Sequence, residues 1–381
     1  MSPLRVLSIF GTRPEAVKMA PVVKALASQP GIEARVCVTA QHRQMLDQVL
    51  KLFEIVPDVD LNLMRPNQSL AQISADIMTG LDPILAEMRP DWVLVQGDTT
   101  TVMAASLLAY YHHIHVGHVE AGLRTRDRWQ PFPEEINRRI AGVIAELHFA
   151  PTEHSRQNLL KENVPPDSIV VTGNPAIDAL QAAASLPAPA ETRDLLARLD
   201  IRPGAKQLVL ITAHRRENFG PPLEDICRAL RMLADAYADR LQLVYPVHLN
   251  PHVQEPVYRL LGGVTNITLT SPQDYLPMVH LLKSATLVLT DSGGIQEEAT
   301  SLGIPALVLR EVTERPEGVE AGVLKLVGTD PARIIQEARR LLEDEDAYQE
   351  MASAANPFGD GHAAERIVAA LLESRNPGQV G

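Results

Sequence analysis

Cysteine, aromatic residues, surplus positive charge and long apolar runs are all scarce in this sequence, and each scarcity closes off a class of function. Only two cysteines occur in 381 residues. Cys37 and Cys227 lie far apart inside apolar segments, the setting of buried free thiols, so neither a disulfide framework nor a thiolate metal site is expected. Aromatic residues make up 4% of the chain against 45% hydrophobic residues in all, the balance of a soluble globular protein. A formal net charge of −12 argues against nucleic acid or an anionic membrane as partner, because a phosphate surface rewards a basic face. The opening run Leu4 to Phe10 is too short and too poorly flanked for a membrane span or a signal peptide. A cytoplasmic location is expected.

Two familiar cofactor signals are also missing. There is no GxxxxGK[ST] phosphate loop, and Gly359-Asp360-Gly361-His362-Ala363-Ala364 spells a dinucleotide fingerprint only in letters, since no strand precedes it. His112, His113, His115 and His118 look like a metal cluster. The first pair is expected to end a helix and the second pair to share a strand face, with no Cys or carboxylate at ligand spacing, so no metal is expected.

What is present is alternation. Strands are expected at 4–10, 33–40, 92–96, 115–119, 147–150 and 169–172, separated by helices. Thr12 and Glu15 form a capping box at the start of the first helix. The helix after Gln41-His42-Arg43 is expected to turn Met45, Val49 and Leu52 inward, and the one from Glu134 to bury Ile136, Ile140 and Ile144. A Pro/Ala-rich stretch at 186–191 marks a boundary region, and the same grammar restarts at Gln207. This pattern predicts an α/β protein of two doubly wound, Rossmann-like domains facing a cleft, with ligand groups at the carboxyl ends of strands. The expected division is 1–172, joined by the C-terminal helix in 363–381, and 173–362.

The stretch from Thr290 to Pro305 is the most telling. A buried strand ends in a Ser292-Gly293-Gly294 turn, and a two-turn helix follows, with Ile295, Ala299 and Leu302 on one face and Gly303 as its stop. Such a helix N-terminus suits a diphosphate, and Glu298 one turn on suits ribose hydroxyls. The plainer reading is a tight turn with a solvated glutamate.

Polar residues collect just after the other strands: Arg13, Gln41 to Arg43, Asp98, Glu120, Arg124, Glu134, His214 to Arg216, His248, Gln273 and Arg315. Asp98 suits a helix N-cap as well as catalysis. Dipole complementarity alone accounts for Glu134 and Glu135. Glu120 ends the apolar strand HVGHV, where a carboxylate is costly without a partner or a task. Arg13 opposes the helix dipole, which points to a nearby anion. Arg215 and Arg216 suit plain surface charge or substrate contact.

Taken in order, GTRPEAVKMAP, TAQHRQMLDQVL, GDTTT, GHVEAGLRT, PFPEEINR, TAHRRENFG, YPVHLNP, PQDYLPMV, TDSGGIQEEA and TERPEGVEAG resemble the bacterial non-hydrolysing UDP-N-acetylglucosamine 2-epimerases from end to end. The resemblance implies a glycosyltransferase-B type fold whose second domain binds UDP. It further implies interconversion of UDP-GlcNAc and UDP-ManNAc without a cofactor, to supply bacterial surface polysaccharide. The implied route eliminates UDP to 2-acetamidoglucal and adds it back with C2 protonated on the opposite face. By motif, Asp98, Glu120, Glu134 and His214 would be catalytic. Arg13, Lys18 and Arg315 would hold phosphates or sugar, Gln273 and Met278 would border uracil, Ser292, Gly293 and Gly294 would take the diphosphate, and Glu298 the ribose. A second, activating UDP-GlcNAc would meet Gln41, Gln44, Glu134, Arg215 and His248, with Asn67 departing from the family at one such contact. The family is usually homodimeric. A glycosyltransferase of the same fold and a catalytically silent nucleotide-sugar sensor are the competing readings.

Overall fold

The computed structural model describes residues 2–39, 43–63, 65, 68–202 and 204–374, the side chains of residues 43 and 44 excepted. The chain divides into two compact units, one of residues 1–179 and 358–381, the other of residues 180–357.

The strands of the first unit are β1 (Leu4–Phe10), β2 (Ile32–Val38), β3 (Val59–Asp60), β4 (Trp92–Gln96), β5 (His115–Val119), β6 (Leu147–Ala150) and β7 (Ile169–Val171). Its helices are α1 (Arg13–Ser28), α2 (Arg43–Leu52), α3 (Leu70–Met88), α4 (Thr100–Tyr111), α5 (Glu134–Ile144) and α6 (Glu153–Lys161), with the first half of α7 (Pro175–Ser185). The sheet is parallel in the order β3-β2-β1-β4-β5-β6-β7. Chain direction across the sheet reverses between β1 and β4, so the loops leaving these two strands diverge and open a crevice at their carboxyl ends. Leu7, Ile9, Val93, Val95 and Val116 of the sheet pack on Leu81 and Leu85 of α3 and Val102 and Leu108 of α4.

The second unit contains α8 (Ala190–Arg198), β8 (Gln207–Thr212), α9 (Pro221–Ala236), β9 (Leu241–Pro246), α10 (Pro251–Leu261), β10 (Ile267–Thr270), α11 (Tyr275–Lys283) and β11 (Ala285–Thr290). It continues through α12 (Gly293–Ser301), β12 (Ala306–Val308), α13 (Pro316–Glu320), β13 (Leu324–Leu326), α14 (Pro331–Glu343) and α15 (Glu345–Ala352). Its sheet, β10-β9-β8-β11-β12-β13, is parallel too and reverses between β8 and β11. The last helix, α16 (Ala363–Ser374), belongs to the first unit, where Asp178 of α7 accepts from the backbone N–H of Ala363 and Ala364 at 3.3 and 2.9 Å and so caps it. Among the described residues no helix is long and apolar enough to cross a membrane, and no group of His, Cys, Asp and Glu is arranged to hold a metal. Cys37 and Cys227 are buried and free, and burial pushes both thiols up to about 12.

Several local expectations need correction. In α2 the inward residue beside Val49 is Leu46, and Met45 is exposed. In α5 the buried residues are Glu135, Asn137, Arg138 and Ala141, while Ile136, Ile140 and Ile144 are half-buried. That helix is set by the polar site it serves, which overrides its apolar spacing. The same is true of α12, which buries Gln296, Glu297 and Thr300 with Ala299 and leaves Ile295 and Leu302 half-buried. His115 and His118 do not share a face: three residues apart on an alternating strand they point oppositely, His115 exposed and His118 buried. Helix α3 has no counterpart in the sequence reading. Gly80 and Pro83 interrupt its pattern, but its capping box, Ser69 with Gln72, is a legible start signal.

Candidate active site

In the first unit the polar groups gather at the carboxyl ends of β1, β4 and β5. The capping box at α1 does more than start a helix. Glu15 is 2% exposed and accepts from the N–H of Gly11 at 3.0 Å, the N–H of Thr12 at 2.7 Å and the hydroxyl of Thr99 at 2.7 Å. It thereby ties the loop after β1 to the loop after β4, and burial raises its carboxyl above the usual range. One turn along α1, Lys18 donates to Glu120 Oε1 at 2.5 Å. Gln96 donates to the other oxygen of Glu120, and Asn174 Nδ2 to Oε1 at 3.2 Å. Glu120 is 6% exposed and its φ is 64°, a left-handed backbone that costs a glutamate of order 1–3 kcal/mol. Strain of that kind persists where surrounding contacts over-determine it, as these do.

Asp98 is not a helix cap. Thr99 occupies that position, accepting from the N–H of Val102. The Asp98 carboxylate is free to pair with Arg138 of α5, and Asn137 Nδ2 donates to the Asp98 carbonyl at 3.0 Å. Arg138 also contacts Glu135 Oε2 at 3.3 Å, and Glu135, fully buried, accepts from Arg139 Nη2 at 2.9 Å and the N–H of Thr125 at 3.1 Å. Glu134 opens α5 half-buried and has no side-chain partner among the described residues. The same holds for Arg13, a cation at the positive end of α1. The structure thus brings Lys18 to Glu120 and sets Asp98 on the neighbouring turn, held by the helix that Glu134 begins.

In the second unit the polar groups gather where β8 and β11 end. The hydroxyls of Thr212 and Thr290 meet at 2.6 Å, and Thr290 Oγ1 accepts from the N–H of Ser292 at 2.9 Å. Ser292 is the N-cap residue of α12 but makes no side-chain cap bond, so the first-turn N–H groups are left to another acceptor. Two guanidinium groups close on the same place. A Cβ built on Gly293 would stand 3.7 Å from Arg315 Nη2 and 3.8 Å from Arg215 Nη2. Two cations beside the positive end of a helix repel one another and the dipole unless an anion lies between them. Arg315 is itself 8% exposed and paired through Nε with buried Glu297. Glu298 lies half-buried on the next residue, close enough to Tyr275 of α11 to raise its phenol further, after burial has done most of the work.

His214 follows β8 and stacks on His248 with ring centroids 5.2 Å apart and 10° between planes. Burial, His248 and Arg215 depress His214, and Asp291 counters them. Gln273 Nε2 is held by the carbonyl of Ser271 at 2.8 Å, and Met278 is half-buried in α11. Gln41, the side chain of Gln44 and Asn67 lie outside the described residues. Of the other residues expected to meet an activator, Arg215 faces the α12 N-terminus and His248 faces His214.

Asp291 escaped the sequence reading. It is fully buried and accepts from the N–H of His214 and of Arg215, both at 2.8 Å, and from Asn218 Nδ2 at 3.0 Å. The signal that singled out Glu120, a carboxylate closing an apolar strand, is equally present at Asp291. Arg138 and Glu297 had no such signal, because a helical pattern does not tell a buried charge from a solvated one.

The fold and these two clusters define a two-domain Rossmann-like α/β protein of glycosyltransferase-B type whose second unit sets two arginines at a helix N-terminus. The family profile described as UDP-N-acetylglucosamine 2-epimerase matches residues 24–372, and the chain belongs to that family. It is 58% identical over 374 residues to UDP-N-acetylglucosamine 2-epimerase of Escherichia coli O157:H7, covering 98% of this chain and 99% of that protein. Among solved structures it is similar to UDP-GlcNAc 2-epimerase from Neisseria meningitidis bound to UDP-GlcNAc, with 49% identity, a TM-score of 0.89, and 97% and 100% of the two chains covered. The putative UDP-N-acetylglucosamine 2-epimerase from Listeria monocytogenes superposes with a TM-score of 0.92 at 48% identity, covering 98% and 97%.

Proposed function

We propose that this chain interconverts UDP-N-acetylglucosamine and UDP-N-acetylmannosamine by eliminating UDP across C1 and C2 and adding it back with C2 protonated on the opposite face. The chemistry sets the demands. C2 carries an acetamido group and is not alpha to a carbonyl, so its proton is too weakly acidic to remove directly. Breaking the C1–O bond together with transfer of the C2 proton to a base gives 2-acetamidoglucal and places negative charge on departing UDP. A fixed set of cations and backbone N–H groups lowers the barrier to that step, because their orientation is prepared before charge develops.

The observation that carries this reading is the convergence of Arg215 and Arg315 on Gly293 at the α12 N-terminus, which calls for a multiply charged anion. In this reading Ser292, Gly293 and Gly294 take the diphosphate, and Arg13, Lys18 and Arg315 hold phosphates or sugar. Glu298 takes the ribose, and Gln273 and Met278 border the uracil. Inversion at C2 needs proton transfer on two faces, and Asp98, Glu120 and Glu134 are the carboxylates offered for it. Lys18 pairs with Glu120 and Arg138 with Asp98, which holds both carboxylates in fixed positions at the crevice. His214 meets the sugar or diphosphate. A second UDP-GlcNAc as activator, contacting Arg215 and His248, belongs to the same reading. So does a cytoplasmic homodimer that supplies the manno sugar for surface polysaccharide.

Proton NMR of the purified protein with UDP-GlcNAc in deuterated water, without metal, nicotinamide cofactor or acceptor, tests the reaction. UDP-ManNAc should grow to a plateau with deuterium at C2. Product without label would overturn the elimination route, and an unchanged spectrum would overturn the epimerase reading.

A further inference from the structure

We propose that Asp291 is the positioning residue of His214, its Oδ1 receiving Nδ1–H of the imidazole so that Nε2 is presented to the substrate. The role given to His214 rests on the epimerase reading; the geometry of the pair does not.

The two oxygens of Asp291 are used unequally. Oδ2 is saturated by three donors, the N–H groups of His214 and Arg215 and the Asn218 amide, which fix the plane of the carboxylate. Oδ1 is buried and has no hydrogen-bond partner among the described residues. A buried carboxylate oxygen left without a donor costs stability, so its persistence calls for a use. The atom nearest to that use is His214 Nδ1, at 3.7 Å. That is outside hydrogen-bond range, and a shift of under about 1 Å brings it in. The near-parallel stack on His248 allows the imidazole to slide in its own plane and resists tilting.

The chemistry of the partner then decides the tautomer. A carboxylate only accepts, so the pair closes only with the proton on Nδ1. Nε2 is left with its lone pair, an acceptor turned toward a hydroxyl or amide N–H of the sugar. Arg215, His248 and Asp291 are the charged or titratable groups bearing on the ring, and burial with the first two keeps it neutral at rest.

A purely structural role, stapling the turn from His214 to Asn218, is the competing account, and Asp291→Asn separates the two. The amide oxygen still accepts from the three N–H donors, so the staple survives. The amide NH2 takes the place of Oδ1 and needs an acceptor at Nδ1, which forces the proton to Nε2. The expected result is a fall in kcat of about 10²- to 10⁴-fold, with KM for UDP-GlcNAc within about threefold and the unfolding temperature nearly unchanged. In 15N-histidine NMR, the His214 proton should move from Nδ1 to Nε2. An unchanged kcat, or a proton that stays on Nδ1 in the variant, would overturn the proposal. Should Asp291→Asn not fold, the wild-type spectrum decides alone: a neutral His214 protonated on Nε2 overturns it. A wild-type protein inactive on UDP-GlcNAc would instead overturn the epimerase reading, and the tautomer measurement would still stand.

Discussion

The two units run the same strand order to the same kind of switch point and fill it with opposite charge. In the first, the loops after β4 and β5 present Asp98 and Glu120, and cations stand behind them, Arg138 and Lys18. In the second, the loops after β8 and β12 present Arg215 and Arg315, and carboxylates stand behind them, Asp291 beneath the His214–Arg215 backbone and Glu297 on Arg315. Asp98, Glu120 and Arg315 are thus each held by an opposite charge, and Arg215 through its backbone. Parallel topology supplies diverging loops and nothing more; the residue that follows each strand decides whether the crevice handles protons or anions.

The comparison predicts that proton transfer at the carboxylates and nucleotide binding are separable by mutation, and Glu120 of the first unit should show an effect as large as that expected of Asp291. Glu120→Gln keeps the shape and removes the charge that Lys18 faces, so kcat should fall by about 10²- to 10⁴-fold, the usual worth of a positioned acid or base. UDP affinity, measured by calorimetric titration, should stay within about threefold of wild type, since Glu120 is not among the groups assigned to the anion. A parallel loss of UDP affinity would break the division of labour.

How much of this the sequence disclosed depends on what kind of pattern carried it. Buried parallel strands are near-continuous apolar runs, so β1, β4, β5 and β6 could be located to the residue. Helices that serve the site were misjudged, because α5 and α12 bury polar faces where an apolar stripe was expected. Family motifs named the residues that the resemblance assigns to ligand. Of the residues that hold them, Asp291 carries a legible signal at the end of an apolar strand, whereas Arg138 and Glu297 are visible only once distant segments are brought together.

Acid should sharpen the contrast in a second way. His118 and His148 lie side by side in register on β5 and β6, and burial lowers them to about 3 and about 4. Unfolded, each titrates near 6.5, so below that pH the unfolded chain binds more protons than the folded one. Their contribution is fully present above about pH 6.5 and is lost as pH falls toward 3, at ~1.4 kcal/mol per pH unit for each proton taken up. Glu15, whose folded carboxyl is raised, works in the opposite sense and offsets part of this. The second unit has depressed histidines too, His214 and His280, but no such pair in its sheet. Both tryptophans, Trp92 and Trp129, belong to the first unit, and Trp92 is buried. Tryptophan emission should therefore shift at higher pH than the far-ultraviolet circular dichroism of the whole chain. Coincident transitions would mean that the histidine pair does not set the acid limit of the first unit.

The smallest effect is expected in the second unit and bears most directly on the anion site. Gly293 is buried at the first position of α12, and an added methyl would meet Arg315 and Arg215 only at ordinary contact distance, 3.7 and 3.8 Å. Gly293→Ala should therefore fold as well as wild type, since alanine is the better helix former by roughly 1 kcal/mol. The methyl would nevertheless occupy the path by which a phosphate oxygen reaches the backbone N–H groups between the two guanidiniums. UDP affinity should fall by about tenfold, equivalent to ~1.4 kcal/mol, with kcat at saturating substrate little changed. Gly294→Ala grades the effect: its methyl meets nothing within 4 Å and should cost less affinity. If Gly293→Ala binds UDP as tightly as wild type, the α12 terminus is not where the diphosphate sits, and two cations at a helix N-terminus would need another anion to explain them.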